Sequence, residues 1–181
     1  MITSTQTKAL PRVLTFSEAK YYIFSITFVV SAVFFPWLAH QFHVAGPTYL
    51  PMHFFVMVAG FLFGWRTGLL VGVISPLLSY SLTHLPVIGI LPQTIIELAI
   101  YGLVIGILRE KKFNIWIALF SAMILGRLAR ILFIFVFSPQ IDPWQFIKIS
   151  LPGIILQILS IPLIIYLLQR FIFGIKNEKR V

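Results

Sequence analysis

Residues Ile115 to Phe137 read IWIALFSAMILGRLARILFIFVF, 23 positions whose only charges are Arg127 and Arg130. A run this long and apolar matches the ~20 residues a helix needs to cross a hydrocarbon core about 30 Å thick. An arginine inside such a span costs about 2.5 to 3.5 kcal/mol on insertion scales, so each requires a partner or a watery cavity. The stretch therefore sets two expectations: a membrane-spanning helix and an interior site that accommodates its cations.

The remainder of the chain is of the same kind. Its 181 residues are 59% hydrophobic and 10% charged, with a mean hydropathy of +0.98, which excludes a small soluble core coated in polar surface. Proline, glycine and charge divide the apolar runs into six spans. These are Tyr21 to Ala39, Pro51 to Gly64, Thr67 to Thr83, Pro92 to Leu108, Ile115 to Phe137, and a sixth that starts at Pro143 or Pro152 and ends at Phe173. Thr15 and Glu18 form a capping box before the first span, which reads as uncleaved because no small-x-small site follows it. Asp142, Pro143 and Gln145 form an N-cap, a first-turn proline and a capping-box partner, whereas Pro152 offers a later restart of the sixth span. The expected fold is all-α: one integral-membrane six-helix bundle over residues 1–181, with a cytoplasmic segment at 1–19 and a basic cytoplasmic tail at 174–181.

A net charge of +9, from 14 basic against five acidic residues, suggests nucleic acid in a soluble chain, but here the bases follow the membrane. Lys8, Arg12, Lys20, Arg66, Arg109, Lys111, Lys112, Arg170, Lys176, Lys179 and Arg180 all fall on one side. The opposite connections, His40 to Leu50, Thr83 to Leu91 and Ser138 to Gln145, contain no Lys or Arg. Basic connections are retained in the cytoplasm, so both termini are expected inside the cell membrane and the three base-free connections outside. With no cysteine, four scattered histidines and five acids, the chain has little material for a metal site, and no metal or cofactor is expected. No Gly-x-x-x-x-Gly-Lys-Ser/Thr loop occurs, so nucleotide-driven work belongs to other subunits.

Glu97, Arg127 and Arg130 all fall in the outer half of their spans, Glu97 roughly 7 Å past Pro92 and the arginines about 10 to 15 Å below the end of theirs, at 1.5 Å per residue. Arg127 and Arg130 share a helix face at i and i+3, and Gln93, Glu97 and Tyr101 form a polar stripe at i, i+4 and i+8. Two readings follow. Glu97 pairs with one arginine as structural glue, or the second arginine, left over by the count of charges, receives a ligand carboxylate or phosphate in its planar fork. His53 and His84 lie at the same outer level, as ligand contacts or interfacial hydrogen-bonders. Tyr49, Trp37, Trp144 and Phe146 read as an aromatic belt or a stacking lid, and Gln157 as a further pocket residue. Small residues at Gly60, Gly64, Gly68 and Gly72, at Gly102 and Gly106, and at Ala118, Ala122 and Gly126 recur every four positions, a spacing that permits close helix contact.

The segment Leu50-Pro51-Met52-His53-Phe54-Phe55-Val56-Met57-Val58-Ala59-Gly60-Phe61-Leu62-Phe63-Gly64, then Gly68-x-x-x-Gly72 and Ser75-Pro76-Leu77-Leu78-Ser79, resembles the substrate-binding S component of energy-coupling factor (ECF) vitamin transporters. Ile96 through Gly106 adds to the likeness, and Leu50-Pro51-Met52-His53 with Glu97-Leu98-Ala99-x-Tyr101-Gly102 is most similar to the pantothenate-type members. The resemblance implies a non-enzymatic subunit that captures a vitamin on its outer side with high affinity. It further implies docking on a transmembrane coupling subunit bound to two ATPases, and toppling in the bilayer to release the vitamin inside. Riboflavin, a thiamine precursor, cobalamin and folate are the alternative ligands. The first span lacks the alanines four apart through which many members dock, having Ser25, Ser31 and Ala32 instead. Two other classes compete: an intramembrane enzyme using Glu97 or a histidine as base, which lacks paired carboxylates or His-Glu-x-x-His, and a structural partner held by its glycine faces.

Overall fold

The structure, a computed structural model, describes residues 19–42 and 46–171. The capping box at Thr15 and Glu18 and the bases of both termini lie outside these residues, apart from Lys20 and Arg170. The described chain is helical throughout: α1 (Ala19–Gln41), a one-turn α2 (Gly46–Tyr49), α3 (Pro51–Phe63), α4 (Trp65–Thr83), α5 (Leu91–Glu110), α6 (Ile115–Phe137) and α7 (Pro143–Phe171). Helix α7 is continuous from Pro143, and the Oδ1 of Asp142 accepts the Trp144 N–H at 2.9 Å, which decides between the two starts. Pro152 is thus an interior residue and not a restart.

Among the described residues, four helices are long and apolar enough to cross a membrane: α1 from Tyr21, α5, α6 and α7 from Trp144 to Leu168. Helix α3 has 13 residues, about 20 Å at 1.5 Å per residue. Helix α4 has the length, at 19 residues, but Arg66, Thr67, Ser75, Ser79, Ser81 and Thr83 dilute its apolar character. The outward faces are apolar at helical spacing, with Ile23, Ile26 and Val30 on α1, Ile124, Leu128, Leu132 and Phe135 on α6, and Ile155, Leu159 and Leu163 on α7 all exposed. In water such a belt would drive aggregation; against lipid tails it is the correct surface.

Because lipid is as apolar as leucine, close contact between backbones has to hold the bundle together. Half of the membrane-length window of α5 is buried, against 28% for α1, 33% for α6 and 22% for α7, so α5 is the central helix. Its Gly102 faces the backbone of Gly68 on α4, where a Cβ on either residue would collide with the other's carbonyl. Gly72 abuts Leu98, Gly106 abuts Trp65, and Gly126 of α6 admits the ring of Tyr101. The four-residue glycine spacing is thus a packing code that brings α4 and α6 onto α5. Ser25 and Ala32 of α1 are also buried, facing the bundle. Between α3 and α4 the turn is made at Gly64, whose φ of 91° favours glycine, and Glu110 at the end of α5 accepts the Trp65 N–H at 3.2 Å.

Candidate binding site

At the end of the bundle where α3 and α5 begin and α6 ends, the helices line a cavity of about 270 Å³. Pro36, Trp37 and His40 of α1 form one wall and Leu50 to His53 another. Ser79 and Thr83 of α4, the Leu85-Pro86-Val87 turn, Ile90, Thr94 of α5, Arg130 of α6 and Phe146 of α7 complete it. Its surface is mostly apolar. The polar groups that converge on it are one guanidinium, two imidazoles and three hydroxyls, the usual design of a small-molecule pocket.

Below Arg130 lies a buried charge cluster centred on Glu97, which is fully enclosed. Its Oε2 accepts a hydrogen bond from Arg130 Nη1 at 2.8 Å, and its Oε1 lies 3.1 Å from Arg127 Nε. Tyr101 donates to Oε1 at 3.1 Å and His53 Nε2 lies 3.4 Å from Oε2. Arg130 Nη1 also donates to Thr94 Oγ1 at 3.4 Å. Glu97 thus hydrogen-bonds one arginine, Arg130, while the second, Arg127, approaches the other carboxylate oxygen without a hydrogen bond. An i, i+3 arginine pair on α6 straddles one residue of α5 because Gly126 lets the two helices approach closely. The clamp is nonetheless incomplete. The approaches of Arg127 and His53 lack hydrogen-bond alignment, and the buried Nε, Nη1 and Nη2 of Arg127, like the Nε of Arg130, have no hydrogen-bond partner. Two guanidiniums against one carboxylate leave a surplus of one positive charge.

Of the residues singled out from the sequence, His53 and Arg130 line the cavity, while Glu97, Arg127 and Tyr101 form the cluster beneath. Gln93 is buried, with Nε2 3.5 Å from the Gly89 carbonyl and Oε1 unpartnered, but is not in the cavity wall. Three others stand apart from the lining. Tyr49 is exposed; His84 caps α4 in the left-handed region and meets the Tyr80 ring edge-on; Gln157 donates to the Leu50 carbonyl at 3.3 Å. That bond ties α7 to Leu50, a buried leucine with φ of 50° and ψ of 48°, a conformation costing about 1–2 kcal/mol for an L-residue. Gln157→Leu is expected to lower stability by about 0.5–1.5 kcal/mol, the loss of one hydrogen bond to a carbonyl that still accepts the His53 N–H at 3.1 Å, measurable by thermal unfolding in detergent.

Of the four candidate belt aromatics, Trp37 and Phe146 line the cavity, whereas Tyr49 and Trp144 are outside it. Phe146 lies over the guanidinium of Arg130, 3.5 Å from Cζ to ring centroid, with Arg127 Cζ at 5.1 Å. Sequence reasoning missed Thr94, Ser79, Thr83 and His40 as cavity side chains. Thr94 is legible in retrospect three residues before Glu97 on the same helix face; the Leu85-Pro86-Val87 turn falls within the outer connection Thr83 to Leu91, whose closure over the site was expected.

The sequence profile of the family described as "ECF transporter, substrate-specific component" matches residues 20–176. The chain belongs to this family. The S component is a transport subunit and not an enzyme, works with the other subunits of an ECF transporter, and binds the transported substrate. This S component is accordingly a membrane protein, as its apolar exterior requires. No curated protein and no solved structure gives a match.

Proposed function

We propose that this S component is the high-affinity binding subunit of an importer for a B vitamin of the pantothenate type. Its acid group would be held by Arg130 with support from Arg127, and its body by the apolar walls. The observation that carries the reading is a partly satisfied buried guanidinium, Arg130, in the wall of a mostly apolar cavity, above a cluster with one surplus positive charge. A monocarboxylate neutralises that surplus; a thiamine-like cation adds to it. The cavity of about 270 Å³ lies near the lower end of the range for small-molecule pockets, about 300–1,000 Å³, and suits a compact ligand better than cobalamin. His40, His53, Ser79, Thr83 and Thr94 offer partners for hydroxyl and amide groups.

The base-free connections at the cavity end and the basic residues Arg66, Arg109, Lys111 and Lys112 at the other support an outward-facing site, with both termini in the cytoplasm of the cell. Six crossings follow if α3 and α4, shielded by α1 and α5, span as a short pair. A coupling subunit and two ATPases would supply the work.

Thermal unfolding of the purified protein with a panel of B vitamins and precursors tests the ligand. At 100 times its dissociation constant a ligand stabilises the native state by about 2.7 kcal/mol. Pantothenate is expected to raise the melting temperature of the wild type. Arg130→Ala is expected to abolish the shift, and Arg127→Ala to reduce it. A larger or uncharged vitamin that stabilises all three proteins equally would remove the anion site from the reading while leaving the family assignment untouched.

A further inference from the structure

Arg130 is 3% exposed and both of its hydrogen bonds leave from Nη1, to Glu97 and to Thr94. Its Nε is buried without a partner, so the side of the fork away from Nη1 carries the unused donor. Phe146 determines how that side is approached. With Cζ only 3.5 Å from the ring centroid, a guanidinium nitrogen aimed at the ring would penetrate its van der Waals surface, so the two groups meet face to face. One face of the cation is therefore covered by an aromatic ring that also lines the cavity.

We propose that Phe146 is a specificity-determining residue that makes this site a reader of planar carboxylates, by covering one face of Arg130 so that the ligand's acid group is gripped edge-on at the unused Nε side. The inference rests on the acid-binding reading above. A carboxylate gripping the Nε side of the fork keeps both oxygens, its carbon and the first bond of its chain in the guanidinium plane. A tetrahedral acid bound through two oxygens must put its third oxygen on one side of that plane and its chain on the other. One of these then meets the ring of Phe146, whose π face repels an anionic oxygen. Sulfonates carry the same single charge as carboxylates, so shape alone separates the two.

Titration calorimetry on the full-length protein in detergent uses three probes of one skeleton: pantothenate, its sulfonate counterpart pantoyltaurine, and its uncharged alcohol panthenol. The wild type is expected to prefer the carboxylate over the sulfonate by about tenfold or more, the equivalent of 1.4 kcal/mol. In F146L the preference is expected to narrow to about threefold or less, with panthenol still the weakest probe, while F146Y retains the wild-type ratio. A ratio of dissociation constants taken within one variant is independent of how much of that variant folds, and F146I replaces F146L if the latter cannot be purified. Equal wild-type affinity for carboxylate and sulfonate, or an unchanged preference in F146L, overturns the role of Phe146 and leaves the acid site standing. Wild-type binding of panthenol as tight as that of pantothenate overturns the acid site itself, and no binding of any probe overturns the pantothenate skeleton along with it.

Discussion

Glu97→Gln is expected to destabilise the protein by about 3–5 kcal/mol, the cost of removing one partner from a buried ion pair and leaving the other charge uncompensated. Here two charges lose their partner, since Glu97 is the acidic side chain within reach of both Arg127 and Arg130. Glutamine keeps the volume and an acceptor oxygen, so lost charge and not a cavity is what the variant isolates. Thermal unfolding in detergent reads the loss. Adding a carboxylate ligand is expected to restore part of it, because the ligand then supplies the missing negative charge. A melting temperature unchanged from wild type would mean that the guanidiniums are neutralised by something other than Glu97, and the charge count behind the binding reading would fail with it.

Gly102→Ala is expected to cost about 3 kcal/mol, the upper end of the overpacking range, despite a helix-propensity gain of about 1 kcal/mol. The added methyl meets the carbonyl and carbon of Gly68, backbone atoms that cannot rotate away, so α4 and α5 must part along the contact they share. Gly89→Ala is the control: a Cβ there meets nothing within 4 Å, and unfolding should be unchanged. Separation of α4 from α5 also moves Ser79 and Thr83 relative to Thr94, so ligand affinity is expected to fall with stability in the first variant and in neither respect in the second. Equal behaviour of the two variants would remove the glycine contact from the account of how the bundle is held.

Membership of the apolar class, the helical segments and the position of charge along them were all legible in the sequence, because they depend on local composition. A span of 23 residues is a span wherever it packs. Glycines four apart announced close contact, and the structure supplies the partners, Gly102 against Gly68 and Gly126 against Tyr101. The i, i+3 spacing of Arg127 and Arg130 and the i, i+4 spacing of Glu97 and Tyr101 placed each pair on one helix face. Charge arithmetic then implied that the faces meet.

Which donor meets which oxygen was a different matter. Counting charges left open which arginine Glu97 takes; the close approach of α5 and α6 at Gly126 brings both near its oxygens, and the hydrogen bond goes to Arg130. The cavity wall draws on α1, α3, α4, α5, α6, α7 and the turn at Leu85-Pro86-Val87, so its shape is a sum of crossing angles that no single segment encodes. Phe146 shows the division most clearly. On sequence it is one of several aromatics near a membrane surface, and only the packing of α7 beside α6 sets it over a guanidinium. Composition and period thus determined the class of the protein and the identity of its buried charges, which are properties of residues and their neighbours along the chain. The tertiary structure decided which of those charges are satisfied and which side of Arg130 remains for a ligand, because hydrogen bonds and covered faces depend on distances of a few ångströms between helices far apart in sequence.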